Sequence, residues 1–155
     1  MSVFPIPRRF ATPLLMLASA LVAACASSGP TKSSGGPYGA VSSEAAVRGF
    51  LDAANEEDYR QMGQLFGTER GPAVDELGIE EVESRMIVLS KLLRNGGYAL
   101  RQANLEMLGP DRVRWEAALT GSRKGSVVVP VITVPSKDGR WFVERLNVDA
   151  VAGGL

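Results

Sequence analysis

Apolar residues recur at helical spacing through the first half of the folded region and at every second position through the second half. Val47, Phe50, Leu51 and Ala54 fall at i, i+3, i+4 and i+7. This stripe predicts a helix opening at Ser42 or Ser43, hydroxyl caps, with Glu44 in the first turn where the helix dipole favours an acid. Asn55-Glu56-Glu57-Asp58 interrupts the stripe, and Asp58 can cap a second short helix presenting Tyr59, Met62, Leu65 and Phe66. Gly67, Gly71 and Pro72 predict a loop. A third helix over about 79–94 presents Ile79, Val82, Met86, Leu89 and Leu93, and Asn95-Gly96-Gly97 stops it.

After Gly97 the period falls to two. Segments 98–108, 112–120, 126–134 and 140–148 read as four strands. The connections are too short for intervening helices, so neighbours form antiparallel hairpins. With Gly109-Pro110-Asp111 as the first turn, Met107 faces Val113 and Leu105 faces Trp115. One face then collects Ala103, Leu105, Met107, Val113, Trp115, Ala117 and Leu119, and Glu106 faces Arg114 on the other. The second hairpin turns through Ser136-Lys137-Asp138-Gly139. Val127, Val129, Val131, Phe142, Leu146 and Val148 share one face with Glu144 among them. Val128, Ile132, Val134, Trp141, Val143, Arg145 and Asn147 share the other. Apolar residues on both faces imply that this half of the sheet is covered twice. Pro130, which lacks a ladder donor, marks a bulge or bend.

Helices followed by a four-stranded antiparallel meander make an α+β fold. The order, with EAAVRGFLDAANEEDYRQMGQLF at 44–66 and DGRWFVERLNV at 138–148, resembles the NTF2-like (SnoaL-like, cystatin-related) superfamily. The first segment is similar to that family's amphipathic opening helix and short second helix, the second to its closing turn-Gly-x-Trp strand. The resemblance implies N-terminal helices packed on a curved sheet that wraps them into a cone with an open pocket. It also implies that enzymes on this fold carry an aspartate, tyrosine, histidine or arginine inside the cone. Dimerisation through the sheet face that the helices leave uncovered is a further implication.

The N-terminus reads as an address. Arg8 and Arg9 precede a 14-residue uncharged run, ATPLLMLASALVAA, ending at Ala24. As a helix this run rises about 21 Å, short of a hydrocarbon core of roughly 30 Å. Residues 1–24 therefore read as a secretory signal. Val22-Ala23-Ala24-Cys25 resembles the lipobox of bacterial lipoproteins, and Cys25 is the one cysteine in the chain. By that resemblance Cys25 becomes the mature N-terminus, carries thioether-linked diacylglycerol and usually an N-acyl chain, and anchors the protein in the membrane. Two or more acyl chains anchor durably where one is marginal. Ala26 stands where an aspartate would signal inner-membrane retention, which favours the periplasmic side of the outer membrane. Residues 26–40 hold four Ser, four Gly and two Pro in 15 positions. Residues 25–40 are thus expected to be a tether spanning about 20–23 Å. The α+β domain occupies 41–155.

Composition narrows the chemistry. Lys and Arg number 17 against 17 Asp and Glu, and histidine is absent. Arg8, Arg9 and Lys32 are the charges before residue 41, which leaves 14 basic and 17 acidic groups in the domain. No basic field for nucleic acid results. Without histidine there is no Ser-His-Asp or Cys-His pair and no imidazole metal site. One cysteine allows neither an internal disulfide nor a thiolate zinc site. No metal or other cofactor is expected.

Two function classes remain. One is an accessory lipoprotein that binds a small apolar ligand or a protein through its pocket or sheet face. The other is an isomerase- or hydratase-like enzyme. For it, Glu144 lies between apolar Phe142 and Leu146, where burial raises a carboxyl pKa. Arg101 shares the parity of Ala103 and Leu105, and Tyr59 supplies a hydroxyl. Alternatively Glu144 and Arg101 pair at the rim and Tyr59 packs in the core. For association, Trp141, Val143, Ile132 and Arg145 mark the sheet face offered to a second copy or an envelope partner, unless the tail 148–155 folds back over it.

Overall fold

In the computed structural model, which describes residues 38–103 and 111–152, the polypeptide enters its first helix at Ser42. Ser42 is extended, and its Oγ accepts from the Ala45 N–H at 3.2 Å, capping α1 (Ser43–Glu56). Ala46, Val47, Phe50, Leu51, Ala53 and Ala54 of α1 are buried. Glu57 ends the helix in the left-handed region at φ +56°, and the Asp58 N–H returns to the Ala53 carbonyl at 2.9 Å. Asp58 at once caps α2 (Tyr59–Leu65) by accepting from the Gln61 N–H at 2.9 Å. Both caps sit where the sequence puts them.

Phe66 leaves the helix in extended conformation and begins a short ribbon, β1 (Gly67–Thr68) paired with β2 (Gly71–Pro72), in place of an irregular loop. A single turn, α3 (Val74–Leu77), precedes α4 (Ile79–Leu93), which buries Val82, Met86, Ser90 and Leu93. Asn55 joins the two long helices at their C-terminal ends: its Oδ1 accepts from the Asn95 N–H at 3.0 Å.

Four strands follow in the order of the chain: β3 (Gly97–Ala103), β4 (Val113–Ser122), β5 (Gly125–Pro135) and β6 (Trp141–Leu146). All neighbours are antiparallel, so the α+β meander stands. Its register differs from expectation at both hairpins.

In the first, Trp115 faces Gln102 and Arg114 faces Ala103, where Leu105 and Glu106 were expected. The shift of three residues is odd, so it turns β3 over. Tyr98 and Leu100 face the core with Trp115, Ala117 and Leu119, while Ala99 and Arg101 are exposed. The sequence carries the reason. Apolar alternation runs through Tyr98 and Leu100, then resumes on the other parity at Leu105 and Met107, which lie outside the described residues.

In the second hairpin the expected turn forms, with the Ser136 N–H bonded to the Arg140 carbonyl at 2.8 Å. β6 then carries a bulge. Val143 pairs with Thr133 and Arg145 with Ile132, which leaves Glu144 as the extra residue. Pro130, by contrast, sits in register opposite Glu116. The bulge falls on the neighbouring strand. Trp141, Val143 and Leu146 consequently share the helix-facing side with Val129, Val131 and Thr133, and Phe142 lies with Val134 on the other.

Phe142 and Val134 are nonetheless fully buried. Ala40 bridges Trp141, and Phe66 bridges Val143, so both chain segments close the free edge of β6. Gly39 and Gly67, beside those bridges, approach the Phe142 ring so closely that a Cβ on either would fall 2.8 Å from a ring carbon. Cover from within the chain therefore reaches Phe142 and Val134, while Val128 on the same face of β5 stays 49% exposed. Residues 38–40, compositionally part of the tether, belong to the fold: the Gly39 N–H bonds the Gln64 carbonyl at 2.8 Å and Arg140 grips the carbonyls of Tyr38 and Gly39.

α1 packs on β5 and β6, and the short C-terminal helix α5 (Asp149–Ala152) packs between β5 and α4. Val148 and Val151 join the same core, so the described tail lies on the helix side of the sheet and does not cross the other face. The described residues all fall in one compact unit. The signal segment and Cys25 lie outside the described residues. Among the described residues no helix is long and apolar enough to cross a membrane.

Candidate functional site

Glu144 owes its position to the bulge. Its carboxylate accepts from Arg112 Nε at 2.8 Å and Nη2 at 2.7 Å, a two-point pair, and its side chain is 15% exposed. Arg112 also reaches Glu69, in the β1–β2 turn, at 3.4 Å. The guanidinium holds the Glu144 carboxyl below its ordinary pKa, outweighing burial, which pushes the other way. The sequence expectation was a raised value. That correction has one cause: Arg112 lies 32 positions away, and strand pairing brings it alongside.

Arg101 points away from the core. Its side chain is 78% exposed and pairs with Glu116 across the β3–β4 ladder. Tyr59 stands elsewhere again, half-buried at the start of α2 with its hydroxyl donating to Glu57 at 3.3 Å. Glu144, Arg101 and Tyr59 thus have separate partners on separate elements and form no common site. Glu144 and Arg101 do not pair with each other either.

The four association residues divide in the same way. Trp141 and Val143 pack toward the core, with Val143 fully buried. Ile132 and Arg145 pair on the opposite face. That outer face presents Val128, 49% exposed, with half-buried Ala118, Pro130 and Ile132 and with Arg101, Arg114, Glu116 and Arg145 around them.

Tyr59 does line a cavity, of about 270 Å³, between α2 and α4. Arg60, Gly63 and Gln64 come from α2, Ile79, Val82 and Glu83 from α4, Val74 from α3 and Tyr38 from the segment before α1. Buried Gly63 and Val82 form its base, since a Cβ on Gly63 would lie 3.1 Å from a Val82 methyl. Two phenol rings, three apolar side chains, an amide and one charge of each sign make a lining suited to a small ligand. Neither Arg60 nor Glu83 belongs to an ion pair among the described residues, whereas Arg48, Arg70, Arg85, Arg94, Arg101 and Arg112 all do. Sequence reasoning selected Tyr59 and missed the others. The available signal was Gly63, a helix-weakening residue inside an apolar helical stripe, which marks a close approach.

On the helix-facing side of the sheet the described residues pack closely. Trp115, Ala117, Leu119, Val129 and Val131 are buried in one continuous core with α1, α2 and α4. Among the described residues no three His, Cys, Asp or Glu side chains gather to hold a metal ion.

No protein-family model matches the chain, and no curated protein matches its sequence.

Proposed function

We propose that this protein is an envelope lipoprotein of accessory, binding type, held on the periplasmic side of the outer membrane through lipidated Cys25. Its domain belongs to the NTF2-like superfamily in this proposal and takes a small ligand in the cavity between α2 and α4. Helices preceding a four-stranded antiparallel meander support the family reading. This cavity lies between helices, whereas the described inner-face residues of the sheet are packed in the core.

One observation carries binding over catalysis. Glu144, the carboxylate that the sequence marks for acid–base work, is committed to Arg112 by two hydrogen bonds and held ionised. An isomerase- or hydratase-like reaction needs a group that exchanges its proton near the working pH. The cavity beside Tyr59 has no such commitment.

Saturation-transfer NMR of the full-length Cys25→Ser chain with 2-phenylethanol, a neutral aromatic probe, tests the binding reading. Transfer to the probe that falls away in Tyr59→Ala supports it. Absence of transfer at millimolar probe overturns it.

A further inference from the structure

Arg60 and Glu83 line one cavity from opposite helices, and both lack an ion-pair partner among the described residues. Glu44 pairs with Arg48 on α1 at 2.6 Å, and Glu81 pairs with Arg85 on α4 at 2.9 Å. Arg60 on α2 and Glu83 on α4 make no such pair among the described residues. Each offers an unspent charge to whatever enters. Tyr38, 43% exposed, and Tyr59, half-buried, line the same cavity.

Each group selects a chemistry. A guanidinium favours a carboxylate, which it binds through two parallel N–H donors. A carboxylate favours an ammonium. Phenol faces and edges accept a planar ring at stacking or edge-on distance. At about 270 Å³ the space lies below the range of roughly 300–1,000 Å³ typical of drug-sized pockets, so the ligand is small.

We infer that the α2–α4 cavity binds an aromatic zwitterion of amino-acid size, with its carboxylate on Arg60, its ammonium on Glu83 and its ring between Tyr38 and Tyr59. The inference rests on the small-ligand reading above and adds the ligand's class. Gln64 supplies an amide that can donate to the same carboxylate or accept from the same ammonium. Gly63 lets α2 approach α4 beside the cavity, since a Cβ there would lie 3.1 Å from a Val82 methyl.

The test titrates the full-length Cys25→Ser chain by calorimetry with L-phenylalanine, 3-phenylpropionate, which lacks the ammonium, and phenethylamine, which lacks the carboxylate. L-phenylalanine should bind at least about tenfold more tightly than either analogue, as expected when a charged site loses its partner. Arg60→Gln should weaken L-phenylalanine and leave phenethylamine unchanged. Glu83→Gln should weaken L-phenylalanine and leave 3-phenylpropionate unchanged. Both side chains are exposed, so neither change threatens folding. Equal affinity for all three ligands, or binding of L-phenylalanine that neither variant alters, overturns the inference. If 2-phenylethanol binds and L-phenylalanine does not, the ligand class is wrong while the small-ligand reading survives. If neither binds, both fall.

Discussion

Trp115 donates its indole N–H to Ser43 Oγ across 2.7 Å, tying the second long strand to the first turn of α1. An indole can only donate, so Ser43 Oγ accepts here and can give its own proton onward. It does so to Thr133 Oγ1 at 2.6 Å, and Thr133 donates to the Val113 carbonyl at 3.3 Å. Thr133 is fully buried. The relay gives the buried Thr133 hydroxyl its partners and ties α1 to β4 and β5.

Trp115→Phe should therefore destabilise the protein by about 1–3 kcal/mol, through lost packing and an under-bonded Ser43. Thr133→Val keeps the shape but strands the Ser43 proton, and should cost about 1–2 kcal/mol. Because both changes break one relay, the double variant should cost less than the sum. Urea denaturation of the three variants measures this. Strict additivity would show that the groups act independently.

Acid should act through Glu144. A carboxyl whose folded pKa is depressed contributes stability that is present above its unfolded value, near about 4.3, and is lost as pH falls through the folded value. Asp138, lowered chiefly by the Ser136 hydroxyl, follows the same sign. Denaturant midpoints between about pH 5 and 2 should fall more steeply in the natural protein than in Glu144→Gln. Parallel curves would mean that the Arg112 pair adds nothing.

The Tyr98 hydroxyl, which donates to Asp52 at 2.7 Å, is pushed up to about 12, first by burial and then by that bond. A raised folded pKa contributes stability that is complete below the unfolded value near about 10 and is lost as pH rises toward 12. In a spectrophotometric titration Tyr98→Phe should remove the highest-titrating phenol. Persistence of that phase would place it on another tyrosine.

Much of this was legible in the chain, and the exceptions share a cause. Ser42 and Asp58 cap helices through bonds to residues three positions on, so their signals are local. The turn at Ser136 is local too. The β3 register was missed because apolar parity changes beyond Leu100, and treating both stretches as one strand moved Arg101 to the wrong face. The β6 faces were missed because one bulge residue, Glu144, inverts the alternation, and the cover over Phe142 comes from Gly39 and Gly67, far off in sequence. Arg112 with Glu144 is a long-range meeting, and Tyr38 and Glu83 line one cavity from far apart in sequence, which no local pattern announces.

Close approach makes Gly67 unusually sensitive. A Cβ there would lie 2.4 Å from the Gly71 carbonyl oxygen and 2.8 Å from the Phe142 ring, and a ribbon backbone cannot yield cheaply. Gly67→Ala should cost about 1–3 kcal/mol or more. Gly139→Ala, with open space at its Cβ position, strains only a φ of +77° and should cost about 1 kcal/mol. Thermal unfolding of both compares them. Equal losses would show that the edge around Phe142 is loose.

Lipidation at Cys25 predicts that Cys25→Ser moves the protein from the membrane to the soluble fraction. Retention of the variant in washed outer membranes would contradict it.

The most direct measurement follows methyl NMR signals while 2-phenylethanol is titrated into the full-length Cys25→Ser chain. Val74, Ile79 and Val82 report on the α2–α4 cavity, Val129 and Val131 on the inner face of the sheet, and Val128 and Ile132 on the outer face. Saturable shifts confined to Val74, Ile79 and Val82 are expected. Shifts centred on Val129 and Val131, on Val128 and Ile132, or on none of them would contradict a ligand site between the helices.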